Sequence, residues 1–146
     1  MNTSTPAGRK RLALMLALLV AVMPFSIDAY LPAMPQMAAA LGADIHQIEQ
    51  SLSVFLLGVA LGQLVGGPVS DLKGRRKVAL FGLAVYVMAT VALLWTDTVA
   101  HLLRWRGVQA LGGGMAKVTV AALVRDRLGG REAAQMFALI GIIMMA

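Results

Sequence analysis

An acid and two bases stand where hydrocarbon is expected. Asp28 follows the uncharged run Leu12–Ile27, and Arg106 and Lys117 lie deeper than Arg104 in the mostly apolar stretch from Ala100 to Val124. Arg106, Gln109, Gly113 and Lys117 lie at offsets of 3, 7 and 11 residues. At about 100° per residue they fall within about 60° of one another, so a helix carries them as one stripe. A cation buried in such a helix is costly and normally faces a bundle interior or a water cavity. The alternative is snorkelling along its own stem, outward for Arg106 and inward for Lys117. A partly dehydrated Asp28, with the Tyr30 hydroxyl close by, suits proton exchange; the plainer reading is an acid solvated at a helix end. The chemistry expected here is charge and proton coupling in an apolar medium.

Other chemistries fit less well. Asp44, His46 and Glu49 could be called metal ligands, but Asp44 and Gln47 have the N-cap and N3 pattern of an exposed helix start. Gly112-Gly113-Gly114-Met115-Ala116-Lys117 superficially resembles a phosphate-binding loop. It lacks the glycine before the lysine, and Val118 stands where magnesium needs Ser or Thr. No His, Ser and acid set converges, since His46 and His101 fall in the outer connections. The chain has no Cys, hence no disulfide or thiol chemistry. No catalytic residue, metal site or organic cofactor is expected.

The elements that must position these groups are long apolar spans. With 59% apolar and 14% charged residues and a mean hydropathy of +0.77, the composition lies outside the soluble range. The spacing predicts an all-α polytopic membrane protein. A head (1–11) precedes helices at about 12–31, 51–70, 78–95 and 100–124, and a fifth runs from 133 to 146. That fifth run gives roughly 21 Å of helix against a hydrocarbon core of about 30 Å, so it reads as truncated. Met1–Gly8 reads as disordered, Pro24 as a kink and Trp95 as an interface anchor. A cleaved signal peptide would match Arg9–Ile27, but Ala38-Ala39-Ala40 lies too far beyond the apolar run and three further spans follow.

The net charge of +6 reflects topology rather than nucleic acid. Of 13 Lys and Arg, three lie in the head, four between Lys73 and Lys77, and three between Arg125 and Arg131, whereas Leu31–Ser51 has none. This alternation places the N-terminus and the Asp71–Lys77 and Arg125–Glu132 connections in the cytoplasm, and Leu31–Ser51 and Thr96–Leu103 outside. Gly58, Gly62 and Gly66, four residues apart, give one smooth face for close helix packing. That face also permits a different reading, a short membrane protein that self-associates through it without transport activity.

Between the second and third spans stands Gly67-Pro68-Val69-Ser70-Asp71-Leu72-Lys73-Gly74-Arg75-Arg76-Lys77. Its order and spacing resemble the signature turn of major facilitator superfamily transporters. Ser26–Pro35, Arg106–Gly112 and Val124-Arg125-Asp126 are similar to segments of that superfamily's Bcr/CflA drug-exporting branch. The resemblance implies the N-terminal part of a six-helix bundle, one half of a twelve-helix exporter of amphipathic drugs. Such an exporter works by alternating access in the bacterial inner membrane, with the proton gradient as its energy source. Its partners would be the lipid bilayer, protons, a small amphipathic substrate and a C-terminal bundle beyond Ala146.

Carried over by position, Asp71, Gly74, Arg75 and Arg76 would form a conformational gate, and Gly67 would allow close helix approach. Arg106, with Gln109, would belong to proton coupling, and Asp28 would be an acid near the cavity. Leu72 departs from the pattern where an arginine is frequent. Lys117 lies one turn before Ala121, where an arginine is expected.

Overall fold

The computed structural model describes residues 6–127 and 130–145, and those residues form helices with no strand. Residues 1–5 of the expected head, residues 128–129 of the Arg125–Glu132 connection and Ala146 lie outside the described residues. From Pro6 onward the head is helical, continuous with the first span, so Pro6–Gly8 are ordered rather than disordered. Proline suits a first helical turn because its missing N–H has no partner to lose there.

The helices are α1 (Pro6–Asp28), α2 (Met34–Leu41), α3 (Ile45–Lys73), α4 (Arg75–Ala92), α5 (Val99–Arg127) and α6 (Gly130–Met145). Short 3-10 turns, Leu31–Ala33 and Leu93–Trp95, follow α1 and α4. Four segments are long and apolar enough to cross a membrane: Leu14–Leu41, Ile45–Lys73, Arg75–Trp95 and Val99–Asp126. α1, α3 and α5 run on past their apolar stretches into charged residues. Polar residues at such ends lie where headgroups and water can solvate them, so charge does not end the helix.

Leu31–Ser51, expected outside with a helix starting at Asp44, is mostly helical, and α2 within it was not foreseen. Gly42 closes α2 at φ 58°, with the Ala43 N–H donating to Ala38 O. Asp44 opens α3 with a capping box: its carboxylate accepts from the His46 N–H, and its own N–H donates to Gln47 Oε1. Asp44 is thus engaged as a cap, and His46 Nδ1 lies 3.0 Å from Glu49 Oε2 in a local pair.

α5 is the central helix, packed against α3 on one side and α4 on the other, with α1 alongside. Between helices in lipid there is little hydrophobic drive, so close van der Waals approach does the work. At Gly62 an added Cβ would land on the Leu111 carbonyl; at Gly112 it would come within 2.6 Å of Gly82 O. Gly58 and Gly66 meet α5 similarly, at Ala110 and Met115. The smooth face read from the sequence is therefore filled by the chain's own α5, which leaves no basis for self-association through it. Gly67 is not part of it: among the described residues an added Cβ there meets only Val118, at 4.0 Å.

Three small buried clusters lie along the bundle. Leu16, Ala17, Val120, Val124, Ala133 and Met136 join α1, α5 and α6 at one end. Met23, Phe55 and Ala110 fill the middle, and Met34, Ile48 and Leu102 the opposite end.

Candidate functional site

Arg106 sits one turn along α5 from Leu102, on the side that α1 and α3 cover, and is 3% exposed. It does not snorkel. Its guanidinium carbon lies 4.1 Å from the Tyr30 ring centroid and 4.3 Å from that of Phe55, within range of cation–π attraction to both. Tyr30 is positioned by the turn after α1. Its hydroxyl lies 2.5 Å from Ser51 Oγ, whose single proton goes to Ile48 O, so Tyr30 is the donor.

One edge of the guanidinium is satisfied. Arg106 Nη1 donates to Gln109 Oε1 at 2.9 Å, Gln109 Nε2 donates to Thr90 Oγ1 at 2.8 Å, and Thr90 Oγ1 donates to Tyr86 O at 2.7 Å. This relay fixes the Gln109 amide orientation, since each group donates once along the line. The Tyr86 hydroxyl bonds Ser26 on α1. The other edge is open. Among the described residues Arg106 Nε and Nη2 are buried without a hydrogen-bond partner, and no carboxylate pairs with the cation. A buried charge left in this way is expensive, and a function that needs it is the usual reason it persists.

The structure brings only part of the expected set together. Tyr30, Arg106 and Gln109 meet, and Gly113 lies on the same side, where an added Cβ would meet Met23 and Tyr86. Lys117 is half-buried with no side-chain partner among the described residues. Asp28 is exposed and pairs with nothing described, Arg106 included. Among the described residues nothing covers Asp28, because α1 ends there, and it is Tyr30, two residues on, that turns into the bundle.

Sequence reasoning missed Phe55, Ser51, Thr90, Tyr86 and Ser26. A signal existed: Ser51 and Phe55, and Tyr86 and Thr90, are i,i+4 pairs on one helix face.

A second cluster lies at the far end of α3. Gly74 alone separates α3 from α4, at φ 93°, a conformation that favours glycine. The polar turn expected across Asp71–Lys77 thus reduces to one residue. Arg75 pairs with Asp71, donates from Nη1 to Ser70 Oγ at 2.6 Å, and from Nε to Asp126 Oδ2 at 2.9 Å. Ser70 Oγ in turn donates to Gly67 O at 2.8 Å. Arg75 therefore ties the α3–α4 turn to the exit of α5. Asp126 was within reach of the sequence, since Val124-Arg125-Asp126 had stood out, but its partner lies 51 residues away. Arg76 and Leu72 are exposed.

A family model for the Major Facilitator Superfamily matches residues 15–146. The chain belongs to that superfamily. It is 35% identical over 140 residues to "Uncharacterized MFS-type transporter YdgK" of Bacillus subtilis, covering 94% of this chain and 35% of that protein. It is 38% identical over 122 residues to "Multidrug resistance protein MdtL" of Escherichia coli O45:K1, covering 84% of this chain and 31% of that one. The Klebsiella pneumoniae protein of the same name is 35% identical over 122 residues. The chain thus spans about a third of the length of the curated relatives it matches. No solved structure matches it. As a superfamily member it is a membrane protein of a transporter family.

Proposed function

We propose that this chain supplies the first helices of a proton-coupled exporter of amphipathic drugs, working by alternating access in the bacterial inner membrane. The observation that carries the reading is Arg106: a guanidinium held between two rings, with two nitrogens unspent and no counter-charge among the described residues. Such a group can hold or repel charge as a proton or substrate arrives, which is what coupling requires. The multidrug resistance named for MdtL supports the drug-like substrate class. Asp28, at the exposed end of α1 beside Tyr30, is the proton-carrying acid in this reading. Lys117 adds a second charge on the α5 stripe. Asp71, Gly74, Arg75 and Arg76 form the gate, working against the bundle that completes the transporter.

The test is substrate-induced proton release from the purified full-length transporter, wild type against Asp28→Asn. The variant keeps the shape and loses the charge, so release is expected to fall to background. Equal release from both proteins would remove Asp28 from the mechanism.

The basic clusters orient the bundle with its N-terminus in the cytoplasm. Because the chain has no Cys, single cysteines at positions 44 and 73 report this directly. An impermeant thiol reagent on intact cells is expected to label position 44 and spare position 73; the reverse pattern would invert the topology.

A further inference from the structure

The clasp does not use all the charge at the Gly74 end. Arg75 is held by Asp71, Asp126 and Ser70, while Lys73, Arg76 and Lys77 have no side-chain partner among the described residues. These four cations border a groove of about 410 Å³ whose only carboxylate is Asp126, already paired with Arg75. A second groove, about 260 Å³, shares Arg75, Arg76 and Leu123 with the first. It runs between α1, α4 and α5 over Leu16, Leu80, Leu83 and Val120 and is almost wholly apolar. One continuous surface is therefore cationic at its end and hydrocarbon along its length.

We infer that the two grooves together seat one anionic phospholipid, its phosphate among Lys73, Arg76 and Lys77 and an acyl chain along Leu80 and Leu83. Charge decides the class. A zwitterionic lipid would need a free carboxylate for its ammonium group, and Arg75 engages both that lie at this end, Asp71 and Asp126. A soluble phosphate would leave the apolar groove unused, although that groove opens from the same arginine. Each cation near an anionic headgroup contributes about fivefold in affinity. The site needs only membrane placement and does not rest on the transport reading.

The experiment places the protein in nanodiscs of equal phosphatidylcholine and phosphatidylglycerol, releases it, and counts retained lipids by native mass spectrometry. Wild type is expected to retain phosphatidylglycerol in preference. Arg76→Gln and Lys77→Gln should each cut that preference about fivefold. Arg76→Lys should keep it, which separates charge from misfolding. Ala79→Trp should also lower it by filling the apolar groove. Arg125→Gln, outside both grooves, should change nothing. No preference in wild type, or an equal loss with Arg125→Gln, overturns the site in favour of diffuse charge. Displacement by glycerol phosphate overturns it in favour of a soluble anion. Loss of the lipid when the chain is extended to its relatives' length gives the groove to another helix of the protein, and also overturns it.

Discussion

Alanine at Gly62 is expected to destabilise the bundle by about 2 kcal/mol or more, while alanine five residues on, at Gly67, should be neutral or stabilise by up to about 1 kcal/mol. Both changes add one methyl group to α3, and both gain the helix propensity that glycine lacks. They differ in what the methyl meets. At Gly62 it falls on the Leu111 carbonyl, a backbone atom that can move only if α5 moves; at Gly67 it finds Val118 at 4.0 Å, an ordinary contact. Thermal unfolding in detergent, with Gly67→Ala as the matched control, reads the difference. Equal melting temperatures for the two variants would mean that α3 and α5 do not approach as closely as described.

Methionine at Arg106 is expected to separate stability from activity. It fills much the same volume between Tyr30 and Phe55, and it removes a cation with two unpartnered nitrogens. Replacing a buried charge by a well-packed apolar side chain is commonly neutral or stabilising, by about 1–4 kcal/mol. The melting temperature of Arg106→Met should hold or rise, while drug resistance conferred by the full-length transporter disappears. Arg106→Lys keeps the charge but loses the planar stacking and the donor fork, so it should fall short of wild type on both measures. A large loss of stability in Arg106→Met, with transport retained, would recast the guanidinium as a structural strut.

The sequence was most legible where hydrocarbon thickness dictates the answer. Spans of about 20 apolar residues, their charged connections and the spacing of Gly58, Gly62 and Gly66 all follow from a medium that tolerates neither charge nor unpaired backbone. It was least legible where a residue depends on a distant partner. Gly113 was placed on the stripe and expected to pack. Gly112 and Gly114 stood out only as part of a poor phosphate loop, yet they are the other half of the contacts that Gly82 and Gly62 make. Arg106 was placed on the right stripe, but nothing local revealed that Tyr30 and Phe55 would cover its faces. Asp28 was not legible either: its position in the first span suggested partial burial, but α1 ends at that residue and no described residue covers it. Periodicity tells which face of a helix a residue occupies; it does not tell where the helix stops.

The glycines at which α3, α4 and α5 meet also bear on how the gene can change. Elsewhere in a membrane helix one apolar residue substitutes for another, and a population of sequences can wander. At positions 62, 82, 112 and 114 the atom that collides is the Cβ itself, which nineteen of the twenty residues carry. No single mutation at these codons offers a milder alternative, and a compensating change cannot shrink a backbone. Drift in such a gene is thereby channelled to the helix faces that these glycines do not occupy, on a helical frame that itself stays fixed.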